Sequence, residues 1–240
     1  MIGTGEERKP TPPTAQRVTE RAMILSAVVC HGFIDRHAAD PESVALWGRV
    51  TEWLRHLDVY DKMEAREFEV INRPLGGMQS GERIRATWDV EGLAVLAWAL
   101  RRADFPRHHE QVNPYEVTGS VGFLSEDAAG LMARARLRGN ERLHACREVL
   151  YAVHCRLRGR LRSREWKNFA GWIEPERLEL LGIAQNRLIV DGDLAVGGEP
   201  VCDVSDEGIR ECESAVREQH RAGIWLVGDY PIYSELPVDT

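Results

Sequence analysis

"TWDVEGLAVLAWAL", residues 87–100, is the stretch on which the fold turns. At about 100° per residue, Ile84, Trp88, Glu91, Val95 and Trp98 share one side of a helix. That side reads as a buried stripe, with Trp88 and Trp98 as core residues and Glu91 set among them. A bare carboxylate in a core is costly unless it is paired or protonated. One reading makes Glu91 architectural: a buried bridge to an Arg that the sequence does not identify, or a cap on backbone N–H groups, fixing how helices dock. The other makes it a general acid or base, because burial disfavours the charged form and raises the pKa. The architectural reading is favoured, since no second carboxylate or His is tied to Glu91 by sequence.

Working outward, the helical period continues on both sides. Val18, Ala22, Leu25, Val28 and Val29 place a helix over about 14–38. "ADPES" starts a second, with Asp40 as cap and Pro41 in the first turn, where no donor is needed. Asp61 and Glu64 in "DKME" have capping-box spacing for a third. "NRPLGGMQS" (72–80) is a loop by its Pro and paired Gly, and "ADFPRHHEQVNPYEV" is a long polar connection. A short helix is expected from Ser125, another over about 140–161, one in "IEPERLELLGI", and a last over about 205–227. Only "NRLIVDGDLAVGGEPV" (186–201) reads as β, with its turn at Asp191-Gly192 or at Gly197-Gly198. The expectation is a mainly α protein: a disordered arm over 1–13, then a single compact multi-helix domain over 14–240 with a small β-hairpin near 187–201.

The totals limit the function classes. A chain of 240 residues buries a core without help from disulfides or metals. Its formal charge of −7 argues, as an average, against a generic nucleic-acid or anionic-membrane binder. The N-terminal residues show no apolar signal region, and the run Leu93–Leu100 falls far short of the ~20 residues of a membrane span. Five cysteines, an odd number without CxxC, suit reduced thiols and a cytoplasmic location.

Motifs with chemistry are few. "HACREVLYAVHC" brings His144, Cys146, His154 and Cys155 together in sequence, but His144 and Cys155 lie ~16 Å apart along a helix rising 1.5 Å per residue. One metal site from this helix alone is excluded, so no metal and no cofactor are expected. Cys146 is assigned to the core, and His154 lies beside the stripe with Tyr151, both candidates to face a shallow pocket. "RHHEQVN" (107–113) has Asn113 where the zinc-protease helix needs its second His, and a nearby Pro makes it a loop. Glu218 and His220 stand two apart and face different ways.

Charge is distributed unevenly. Residues 134–164 hold ten Arg against two acidic residues, with Arg at every second position over 156–164. Residues 174–240 hold fifteen acidic residues against five Arg. Either the acidic part folds over the basic segment, or Arg158, Arg160 and Arg162 bind a polyanion or nucleic acid. The near-cancelling charges favour the first. Trp225, Tyr230, Ile232 and Tyr233 are expected to seal one side of the fold, with the terminal "PVDT" docked.

Three groups of residues carry a family resemblance. "TWDVEGLAVLAWALRRADFP" (87–106) resembles a segment of the bacterial family of domain of unknown function 4272. "LRGNERLHACREVLYAVHCRLRG" (137–159) is similar to its central helix, and "LAVGGEPV", "VREQHRAGIWLVG" and "VDT" to its C-terminal part. The chain has Asp89 and Cys155 where the family pattern tends to have Arg and Trp. The resemblance implies a stand-alone bacterial cytosolic protein and transfers no catalytic residue. The functional expectation is therefore a non-catalytic binding or assembly protein, with a protein partner or a second copy and no membrane. The alternatives are the Arg-rich polyanion binder and an enzyme using Glu91 with His154 nearby.

Overall fold

The computed structural model describes residues 11–236. Helix α1 (Ala15–Ile34) opens on Thr14, whose hydroxyl accepts the Arg17 N–H at 3.2 Å. Helix α2 (Pro41–His56) starts as its sequence dictates: Asp40 accepts from the amides of Glu42 and Ser43, and Pro41 occupies the first turn. The next start differs from expectation. Tyr60–Lys62 is a single 3₁₀ turn, and α3 (Ala65–Asn72) begins one turn later on a Glu64/Glu67 capping box.

Helix α4 (Ser80–Ala99) carries the opening stretch. It is covered only from Ala86 onward, so Ile84 is 56% exposed and Trp88 half-buried, while Val95 and Trp98 are core. The polar connection after it hides a helix, α5 (Pro114–Val121), capped by Asn113 with Pro114 in its first turn. Helix α6 (Ala128–Ala133) follows a turn in which the Ser125 hydroxyl accepts the Asp127 N–H. Then come α7 (Asn140–Arg162), α8 (Pro175–Leu181) and the single-turn α9 (Gln185–Leu188).

The β region uses both turns that the sequence offered. β1 (Ile189–Val190) pairs with β2 (Asp193–Val196) across Asp191-Gly192, in the register Ile189 to Leu194. β2 pairs with β3 (Glu199–Pro200) across Gly197-Gly198, in the register Ala195 to Pro200. All four turn residues have positive φ, as the tight antiparallel hairpin requires. Helix α10 (Asp206–Leu226), capped by Ser205, closes the order. The class is mainly α with a three-stranded antiparallel sheet.

Helix α4 packs against α1 and α10, α10 against α7, and α7 against α8. Helix α1 is buried nearly all round because it serves two clusters: Val18, Leu25 and Val29 join the main core, while Met23, Ile24 and Val28 join a smaller one with Val50, Leu54 and Ile71. At the ends, Pro13 is buried and Pro12 lies against Gly228, so the last residues of the segment expected as an arm are packed against the fold. Residues 1–10 of that arm and the terminal "PVDT" lie outside the described residues.

Candidate functional site

Glu91 is 1% exposed. Its carboxylate accepts the Val112 N–H at 3.0 Å and the Gln219 Nε2–H at 2.9 Å, tying the segment before α5 to α4 and α10. Among the described residues no Arg is its partner, so the Arg bridge expected from sequence is replaced by the other option, a bond to a backbone N–H, joined by one to Gln219. The arginines of this region are engaged elsewhere: half-buried Arg66 stands 2.8 Å from Asp89, buried Arg221 pairs with Glu218, and buried Arg21 pairs with Glu64 and Glu67. Burial raises the Glu91 pKa, and its two hydrogen bonds pull it back. Trp98 packs edge-on against Phe105, with ring centres 5.1 Å apart, under the Arg138 guanidinium. Trp225 is buried, edge-on to Tyr233, with Arg17 and Arg21 over its ring.

The Arg-rich end of α7 divides by helical phase. Arg156 is buried and grips Asp193 with two hydrogen bonds of 2.7 and 2.6 Å. Arg160, nominated from sequence for polyanion binding, is also buried; it donates to the carbonyls of Val201 and Val204 and to Asp206. Arg158 is half-buried and acts electrostatically on Glu213, while Arg162 is exposed. Asp193, Asp206 and Glu213 all come from the acidic part of the chain, so that part does cover the basic helix.

His154 and Tyr151 part company. His154 is fully buried and faces α10, with its Nδ1 3.2 Å from Nδ1 of His220 and its Nε2 3.2 Å from Glu213. A hydrogen bond between two Nδ1 atoms needs one lone pair, so at least one ring is neutral. Burial, then the neighbouring His154 and Arg147, push His220 down to about 3. The hydrogen bond from His154 is the largest cause holding Glu213 below its ordinary value. Tyr151 is 45% exposed and lines a cleft of 620 Å³ with Cys155 and Trp172, which His154 does not reach. Cys146 is buried as expected, and all five cysteines are free thiols. Among the described residues no three His, Cys, Asp or Glu side chains are placed to hold a metal, and no helix is long and apolar enough to cross a membrane.

The largest of the three clefts described, 820 Å³, involves none of the candidate site residues nominated from sequence, although part of "RHHEQVN" lines it. Its floor is Val149, Leu150 and Val153 of α7, each 1% exposed. One wall is Leu181, Ile183 and Leu188; the other is the 104–109 segment after α4. His108 locks that segment to β2: its Nε2 donates to the Ala195 carbonyl at 2.5 Å. Burial pushes the His108 pKa down to about 4, so the ring is neutral near pH 7. Sequence reasoning placed "RHHEQVN" in a loop, but nothing in it separates buried His108 from half-exposed His109. Glu91 and His154 line none of the three clefts.

Residues 4–167 match the family model described as Domain of unknown function (DUF4272). The chain belongs to that family. No curated protein and no solved structure matches it. The DUF4272 match runs through α7, so "LAVGGEPV" and α10, which also resembled the family, lie beyond the matched residues. The 820 Å³ cleft therefore joins two parts: its floor and the 104–109 wall come from the DUF4272 match, and the opposite wall from the residues after it.

Proposed function

We propose that the protein is a binding protein without chemistry of its own and that its site is the 820 Å³ cleft between α7, the 104–109 segment and the α8–β2 region. The observation that carries this reading is the floor: three fully packed core side chains form the base of a concavity of small-molecule size, and a clamped His108 holds one wall. The acid–base groups favour binding over catalysis. Glu91 is engaged by an amide and a Gln, and His154 and His220 are engaged by each other and by Glu213, all away from the cleft.

An uncharged fluorophore, N-phenyl-1-naphthylamine, tests the site. Its emission is expected to rise saturably with one equivalent of protein. Asn186→Trp, which places a large ring at the exposed mouth without touching the core, is expected to weaken that binding at least ten-fold. Non-saturable binding, or equal affinity in Asn186→Trp, would remove the cleft from consideration.

A further inference from the structure

The charged side chains around this cleft are unequally matched. Arg107 is held by Glu110 at 2.6 Å. Asp104, which also lines the cleft, acts electrostatically on Arg138. Arg187, on α9 at the same mouth, has neither a carboxylate nor a carbonyl partner for its guanidinium among the described residues. Within the cleft the Nδ1 of His109 is buried without a hydrogen-bond partner, and its Nε2 lies 3.5 Å from Glu110. The cavity thus offers an apolar floor, and a guanidinium at its rim that no acid among the described residues neutralises.

We infer that the ligand is an amphipathic carboxylate, with one anionic head facing Arg187 and an apolar body over Val149, Leu150 and Val153; this rests on the cleft being the binding site. A planar guanidinium binds a carboxylate through two parallel N–H bonds, charge-assisted and about twice as strong as neutral ones. A neutral amphiphile gains only the apolar contacts. A cationic one would bring its head to Arg187 and be repelled. The apolar body matters equally, because displacing water from the floor supplies the non-directional part of the affinity.

Displacement of N-phenyl-1-naphthylamine by octanoate, octanol and octylammonium at one pH and ionic strength separates these contributions. Octanoate is expected to displace the fluorophore at a concentration at least ten-fold lower than octanol, with octylammonium weakest. Arg187→Gln is expected to bring octanoate to the level of octanol while still binding the fluorophore, and Arg49→Gln on exposed α2 surface serves as the control for general charge. Equal displacement by octanol and octanoate, or a preference for octanoate that survives in Arg187→Gln, overturns the carboxylate and leaves the cleft standing. A fluorophore that does not bind the parent protein overturns both.

Discussion

Tyr233 and Gly92 meet across the fold with little tolerance. The Tyr233 hydroxyl is buried without a hydrogen-bond partner, at a point where a Cβ on Gly92 would lie 2.1 Å from it. A buried hydroxyl left unpaired costs about 1–3 kcal/mol, so Tyr233→Phe is expected to be neutral or stabilising in urea unfolding. Gly to Ala inside a helix ordinarily stabilises by about 0.5–1 kcal/mol. Here Gly92→Ala is expected to destabilise, because the new methyl displaces the Tyr233 ring. Adding Tyr233→Phe should recover part of the loss, and a simple sum of the two single effects would contradict this contact. Glu91 is governed by the same polar logic. Gln219 has a free Oε1 and its amide can turn, so Glu91→Gln keeps an acceptor for Val112 and is expected to cost under about 1 kcal/mol, against about 1–3 kcal/mol for Glu91→Leu, which orphans the Val112 N–H. A loss as large in the Gln variant as in the Leu variant would show that the charge itself holds the loop. The burial of Glu91 was legible from helical phase. Its partners were not, since Gln219 lies far along the chain and Val112 contributes only backbone, which has no side-chain signature.

Caps and turns were the most legible elements, because their chemistry is local. Asp40-Pro41 and the Pro175 start behave as their residue types require. The start of α3 slipped by one turn because two acidic pairs share the same spacing, and only tertiary contact chooses between them: Glu67 is buried against Arg21. Helix α5 escaped notice because its cap and first-turn proline, Asn113-Pro114, sit in a segment whose composition is that of a loop. The same cap of α3 has a second duty. Glu64 accepts the N–H groups of Tyr233 and Ser234 at 2.9 and 2.6 Å, so one carboxylate at the head of α3 pins the segment after α10. Arg85 adds a bond to the Ser234 carbonyl, and Arg17 one to that of Pro231. Hydrogen bonds to a charged group contribute about 1.5–3 kcal/mol each, so Glu64→Ala is expected to lose about 2–4 kcal/mol of stability. It should also speed chymotrypsin cleavage after Tyr233 under native conditions. Unchanged resistance at Tyr233 would mean that the segment is held by packing of the Tyr233 ring alone.

The whole molecule is assembled across the end of the DUF4272 match. Helix α7, inside the match, packs on α10, outside it, and α10 also covers α4. The main apolar cluster draws Leu96 and Val153 from one part and Val216 and Trp225 from the other. The opposed charge runs were legible in the sequence as totals, but their sorting was not. Alternate arginines of 156–164 fall into different environments because a helix turns 100° per residue, which buries Arg156 and Arg160 and leaves Arg162 in water. The cleft was illegible for a related reason: its walls come from three separate segments, none carrying a motif. These contacts imply that residues 1–167 do not form a stable unit. Without residues 168–240, Arg156 loses Asp193, and stranding one member of a buried ion pair typically costs about 3–5 kcal/mol. The apolar faces of α4 and α7 toward α10 would be uncovered at the same time, and small domains have only about 5–15 kcal/mol of stability in total. The 1–167 chain is therefore expected to keep helical circular dichroism but unfold in urea without a cooperative transition. Adding residues 168–240 as a separate polypeptide should restore a sigmoidal transition if the two surfaces still recognise each other. A sharp two-state transition of 1–167 alone would mean that the matched region is a domain in its own right and that the cleft lies between two independent folding units.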